Sequence, residues 1–312
     1  RMPLGSSEDI RSIDRKTLIE FYQQWYSPQM ATVVVVGDVD PVSIEKKIKK
    51  MFASIPRKKV KGYRVYPLTY EKGIALHEIG DDLKRSSELE LMIPHPCVVG
   101  NTVGTIYRKE LGSLLVRAIT NRLQARQIRS NVSDAWFLSD KNHFVFTFSG
   151  TDKSGLLQQV SDLSNELECI LKNGFTLEEL DDAIKELSRT LKVDCSAQLS
   201  GKWCDDFVDY VISGDRYIQS EEEMRQLLEK IRSTDSATLQ KWLSYKEQAL
   251  LVAYRNNTGK QNSIQKEDIL RAWEKGIRSP LKEFVYVPKE VKEETITAPV
   301  CLTKSHVFDA SD

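Results

Sequence analysis

The spacing of apolar and polar positions changes period several times along the chain, and each change predicts an element. Near the start, apolar residues recur at helical spacing from Asp14 to Tyr26, Pro28 breaks the pattern, and Ala31 to Val36 is a β-branched run closed by Gly37-Asp38. That order predicts helix, turn and buried strand. Pro41 suits a first helical turn, and Ile44, Ile48, Met51 and Phe52 continue at helical spacing as far as Pro56. A helix-strand-helix has no second layer on which to bury its apolar faces, so this segment needs partners from elsewhere.

The period then switches to two. Gly73 to Ile79 and Arg85 to Ile93 read as strands, the second with Ser87, Leu89, Leu91 and Ile93 alternating against Glu88 and Glu90. Ile106 to Ile128 is the longest helical pattern, its stripe made by Leu111, Leu114, Leu115, Ala118, Ile119 and Leu123. Ser133 to Leu138 and His143 to Ser149 predict a hairpin with Phe144, Phe146 and Phe148 on one face. Two long helices follow. The first ends at Gly174, and Thr176-x-x-Glu179 is a capping box that starts the second. Shorter helices fall around Trp203 to Val211 and Glu221 to Ile231, a last strand at Ala249 to Tyr254, and a helix at Lys266 to Lys275. Strands first, helices after and one strand returning predict an α+β fold: a two-layer domain with a mainly antiparallel sheet packed against helices.

The chain also repeats itself. Glu8-Asp9-Ile10-Arg11-Ser12-Ile13-Asp14-Arg15-Lys16-Thr17-Leu18 recurs as Glu229-Lys230-Ile231-Arg232-Ser233-Thr234-Asp235-Ser236-Ala237-Thr238-Leu239, and a helix and a strand follow each copy. Asp-x-x-Thr is also a common helix start, with Asp as cap. The ordered agreement instead predicts the tail of one domain followed by a second domain of the same design.

Arg1-x-Pro3-Leu4-Gly5, Leu18-x-x-Phe21-Tyr22-x-x-Trp25-Tyr26-x-Pro28 and Val33-Val34-Val35-Val36-Gly37-Asp38 together resemble the pitrilysin/insulinase family of inverted-motif zinc peptidases, which includes the mitochondrial processing peptidases. Leu4 stands where the family usually has Ile. The resemblance implies that residues 1–56 close a first, metal-bearing domain, that 57–69 is a linker, that 70–257 is a complete second, non-catalytic domain of the metallohydrolase-like processing-peptidase type, and that 258–312 is a helix and extended linker toward a missing second half. Arg1, Pro3, Gly5, Tyr26, Pro28 and Gly37 match the family pattern as structural positions.

Composition adds exclusions. Lys plus Arg and Asp plus Glu are both 45, so nothing in the overall charge favours nucleic acid or an anionic membrane as partner. No apolar run is long enough to cross a bilayer. The local run Arg57-Lys58-Lys59-x-Lys61 reads as a solvated linker. Five scattered cysteines without Cys-x-x-Cys pairing argue against a disulfide framework and a zinc ribbon.

Candidate chemistry is sparse. An inverted zinc motif needs His-x-x-Glu-His on one helix, and the four histidines, His77, His95, His143 and His306, are far apart. His77-Glu78 completes neither form of the motif, and His95-Pro96-Cys97 offers two ligand types without a second pair. Asp181-Asp182 and Asp205-Asp206 are neighbours that point apart on a helix. No catalytic residue and no metal ligand is therefore placed in this chain.

The resemblance then implies a non-catalytic segment of a zinc endopeptidase that encloses peptides or unfolded polypeptides, contributing chamber wall and domain contacts, with zinc in the full-length parent and no cofactor here. The alternative is an inactive scaffold or peptide-binding homologue whose parent has no zinc site; an unrelated interaction module with an accidental repeat is a third reading. Expected partners are the remaining domains and peptide substrates, with self-association through residues 1–56 because a partial domain exposes an unpaired strand edge. The bacterial periplasm or cell envelope is a guess for the parent alone.

Overall fold

The computed structural model describes residues 7–56, 69–80, 85–98, 100, 102–136, 141–196, 200–214, 218, 220–243, 249–257, 263–281 and 284–288. Residues 7–56 form α1 (Ser7–Ser12), α2 (Arg15–Trp25), a 3-10 turn at Pro28–Met30 and α3 (Pro41–Phe52). Side-chain caps set the starts. Asp14 accepts from the Thr17 N–H at 2.7 Å, and Asp40 accepts from the Ser43 N–H at 3.0 Å just ahead of Pro41. None of these helices buries a residue, and Leu18, Phe21, Tyr22, Met51 and Phe52 are exposed. One expectation is corrected: Ala31 to Val36 is not a buried strand, since it joins no ladder and Val33 and Val35 are about half exposed. A strand is held by its ladder and its covering layer, and no described residue offers either to this run.

The rest builds on one five-stranded sheet, formed by β1 (Gly73–Gly80), β2 (Ser87–Pro96), β3 (Asn131–Trp136), β4 (Lys141–Gly150) and β5 (Ala249–Asn256), in the order β1-β5-β2-β4-β3. β5 runs parallel to β1, and the other pairings are antiparallel. The alternation seen in the sequence decides which face is dry. Leu91 sits between Phe146 of β4 and Val252 of β5, and Leu89 between Phe148 and Tyr254, all six buried. Each such side chain contributes roughly 1.5–3 kcal/mol relative to an exposed one. The wet face carries Glu88 and Glu90, both half-buried.

Helices α4 (Val103–Ala125), α5 (Lys153–Asn173), α6 (Leu177–Ser196), α7 (Ser200–Ser213), α8 (Glu221–Arg232), α9 (Ser236–Trp242) and α10 (Lys266–Arg278) complete the domain. The predicted bounds hold to within a few residues. The main shift is α4, which stops at Ala125 because Gln127 takes φ 58° and turns the chain before Ile128. Gly174, at φ 76°, closes α5 as its position after the stripe requires, and a side chain there would meet Ser236 Oγ at 2.3 Å. α10 lies against α5: Ser164 Oγ donates to the Trp273 carbonyl at 3.0 Å, and Asn165 Nδ2 donates to those of Gly276 and Ser279 at 3.0 and 3.2 Å. The repeat is visible in three dimensions too. Asp235 accepts from the Thr238 N–H at 2.8 Å and caps α9 as Asp14 caps α2, and the strand that follows this second copy, β5, is central to the sheet.

Candidate functional site

The most concentrated chemistry on the domain sits where three strands meet α4. Period-two alternation carries His95 to the same face as Leu91 and Ile93, and Asp134 to the face of Val132. The register sets His95 opposite Asn142, and Asp134 opposite Phe144. A carboxylate has no proton to give, so His95 Nε2–H donates to Asp134 Oδ1 at 3.0 Å, and Asn142 Nδ2 donates to the same oxygen at 3.1 Å. The imidazole is 4% exposed, stacks on Phe144 with centroids 4.2 Å apart, and meets Trp242 edge-on at 5.7 Å. Gly112 of α4 makes room for the carboxylate, since a side chain there would come within 2.6 Å of Asp134 Oδ2.

This arrangement ties elements together and is poorly built for catalysis. His95 Nε2 is committed to Asp134, and Nδ1 faces the Pro96 carbonyl 3.3 Å away, so neither nitrogen is aimed at a hydroxyl or thiol. His143, on the other face of the sheet, takes the Tyr70 hydroxyl at Nε2, 2.8 Å away. Burial holds its pKa below the ordinary imidazole value, and the nearby His95 adds to the effect. His77 lies exposed on β1, Cys97 is half-buried, and His306 lies outside the described residues. A zinc site needs at least three protein ligands around one point. Among the described residues no group of three or more His, Cys, Asp or Glu could hold a metal ion, so the residues present do not fit one.

Beside the His95–Asp134 pair a groove of about 460 Å³ opens between α4, β3 and α6, lined by Ser113, Arg117, Thr120, Asn121, Asp134 and Glu186 among others. Of the motif positions, Arg1, Pro3 and Gly5 lie outside the described residues. Tyr26 closes α2 and stacks on Tyr22 at 4.8 Å, Pro28 opens the 3-10 turn, and Gly37 accepts from the Val39 N–H at φ 155°.

The residues that sequence reasoning did not single out form a second cluster. Arg122 of α4, 2% exposed, bonds Glu166 of α5 at 2.9 Å, Glu179 of α6 through two nitrogens, and the Gly174 carbonyl at 3.3 Å. Arg126 pairs with the other Glu166 oxygen at 3.0 Å. Burial works against the charge on Arg122, but the hydrogen bonds to Glu179 and Glu166 outweigh it and hold the guanidinium more firmly protonated than usual. Glu179 also completes the predicted capping box with Thr176. The signal was available: Arg122 falls three after Ile119 and four after Ala118, on the apolar stripe and off the solvated face.

Comparison with known proteins gives these features a family. The sequence pattern of the peptidase M16 inactive domain matches residues 12–187. The chain is 27% identical over 189 residues, 58% of its length, to the probable zinc protease PqqL of Escherichia coli, of which it covers 20%. The crystal structure of that periplasmic protease superposes with TM-score 0.77 at 23% identity, over 93% of this chain and 34% of the protease. A mutant of the ferredoxin protease FusC, solved in complex with Arabidopsis ferredoxin, superposes with TM-score 0.72 at 15% identity, over 92% of this chain and 34% of FusC. The chain thus spans about a fifth to a third of these proteins. Its α+β layers, repeated cap-helix unit and matched residues have one explanation: this chain belongs to the peptidase M16 family, as a segment built on that family's inactive domain.

Proposed function

We propose that this chain is a non-catalytic segment of a zinc-dependent endopeptidase, that it contributes wall and domain contacts to an enclosure for peptides or unfolded polypeptides, and that the zinc and its general base lie in another part of the parent. The observation that carries the reading is the match of residues 12–187 to the inactive domain, in a chain whose described residues hold no metal-ligand group. In this reading residues 1–56 come from the preceding domain, 57–69 are a linker, 70–257 are the inactive domain and 258–312 the path toward the next part; the inactive-domain match, which begins at residue 12, runs across the first two of these boundaries. The bare apolar surface of α2 and α3 supports this division, because Leu18, Phe21, Tyr22 and Phe52 need a covering layer. The partners are the remaining domains and the peptide substrate; nothing in the charge balance favours nucleic acid, and no described helix is long and apolar enough to cross a membrane. The periplasm is the compartment proposed for the parent, on the example of the E. coli relative.

Elemental analysis and peptide hydrolysis test the reading on this chain and on the full-length parent side by side. Stoichiometric zinc and chelator-sensitive cleavage in the parent, with neither in this chain alone, is the expected result. Zinc and cleavage in this chain, or in neither protein, refutes it.

A further inference from the structure

The stretch after α10 is held to the domain by two rings. Phe284 lies over the Arg122 guanidinium at 4.2 Å and over that of Arg126 at 4.7 Å. A ring face between two cations is attracted by both, and more strongly where water is excluded. The cations are four residues apart, in the last turn of α4 and at the cap that follows it, and Glu166 and Glu179 neutralise them from α5 and α6. Two residues on, Tyr286 is buried and its hydroxyl donates to Asp182 Oδ2 of α6 at 3.0 Å, while Val285 and Val287 are 85% and 77% exposed. Alternate residues therefore turn inward, which is how an extended segment lies along a surface that grips only its aromatic side chains. A flexible linker would be polar and solvated on all sides. This one fastens onto a charged cluster that joins three helices.

We propose that Phe284–Tyr286 is a latch which fixes the point where the chain leaves the domain, so that whatever follows Pro288 is presented in one direction, and that unseating the two rings frees it. This rests on the reading of the chain as an inner segment of a longer peptidase. Within 258–312, Phe284 to Tyr286 are then seated on the domain and not part of a solvated linker.

Chymotrypsin, which cuts after aromatic residues, reports the latch on this chain directly. Cleavage after Tyr286 is slow in the unmodified chain and roughly tenfold faster in Phe284→Ala, because cleavage follows the population of the open form. Cleavage after Tyr26, already 65% exposed, keeps its rate and serves as the internal reference. Equal rates of cleavage after Tyr286 in the two proteins overturn the latch. Should Phe284→Ala fail to fold, the variant Tyr286→Phe, which keeps both rings and loses the Asp182 bond, must still be cut faster at the same peptide bond, ahead of Val287, than the unmodified chain is; an unchanged rate overturns the latch equally. In the full-length parent, a spectroscopic ruler placed across the connector must show a broader distance distribution in Phe284→Ala. An unchanged distribution overturns the fixed exit, and a parent without zinc or peptidase activity refutes the peptidase reading while the chymotrypsin result stands.

Discussion

Gly276 of α10 is the position where one added methyl group separates packing from propensity. On an exposed helix interior, Gly→Ala stabilises by about 1 kcal/mol. At Gly276 the new carbon would lie 1.9 Å from Ser164 Oγ, 2.1 Å from the Ser161 carbonyl oxygen and 3.0 Å from the Asn165 nitrogen. Two of these are backbone atoms of α5, so turning a side chain cannot relieve the clash, and α10 must lift by roughly 1 Å to restore ordinary contact distances. Lifting breaks or stretches the Ser164 bond to Trp273 and the Asn165 bonds to Gly276 and Ser279. Each is worth about 0.5–1.5 kcal/mol net, and overpacking adds about 1–3 kcal/mol. Against the propensity gain, the expected outcome for Gly276→Ala is a loss of about 3 kcal/mol. Thermal unfolding should register it as a drop of roughly 6–12 °C for a domain of this size. Gly201 of α7, where a side chain would meet nothing within 4 Å, is the control, and Gly201→Ala should hold or slightly raise the midpoint. An unchanged or raised midpoint in Gly276→Ala would refute the close approach of α5 and α10.

Arg122→Met leaves Glu179 in the interior without its cation and Glu166 with Arg126 alone, so its urea midpoint should fall by the equivalent of about 3–5 kcal/mol, and addition of Glu179→Gln should recover part of the loss; a midpoint within error of the unmodified chain would show that water reaches the cluster. His143, with a pKa below the ordinary imidazole value through burial and then His95, binds its proton more readily when unfolded. Its contribution is therefore fully present above about pH 6.5 and is lost as pH falls toward its folded pKa. Urea midpoints measured from neutral to mildly acid pH should fall less steeply in His143→Gln, and an identical slope would remove His143 as the cause.

Local rules made most of the elements legible. The alternation of Leu89, Leu91 and Ile93, the Phe144–Phe146–Phe148 face, the Thr176–Glu179 cap and the Gly174 stop each depend on neighbours a few residues away. What stayed hidden depends on distance along the chain. His95 meets Asp134 39 residues later, and Arg122 meets Glu166 and Glu179 at separations of 44 and 57. No periodicity carries such pairings. The misplaced strand at Ala31–Val36 has the same origin: β-branched composition states a preference, and a ladder partner turns preference into structure. The family motif was readable because its residues lie close in sequence.

The position of β5 also fixes the order in which this domain can be completed. It is the last strand in the sheet's chain order, yet it lies between β1 and β2, paired to Gly73–Gly80 on one side and Glu88–Met92 on the other. During synthesis, β2, β4 and β3 can pair as soon as they emerge, but β1 has no place beside them until Asn256 is available. For the time needed to translate roughly a hundred further residues, one edge of β2 stands open to any extended segment nearby. The closing step then spans most of the domain, which makes it slow and leaves the nascent chain most open to mispairing just before its last strand arrives.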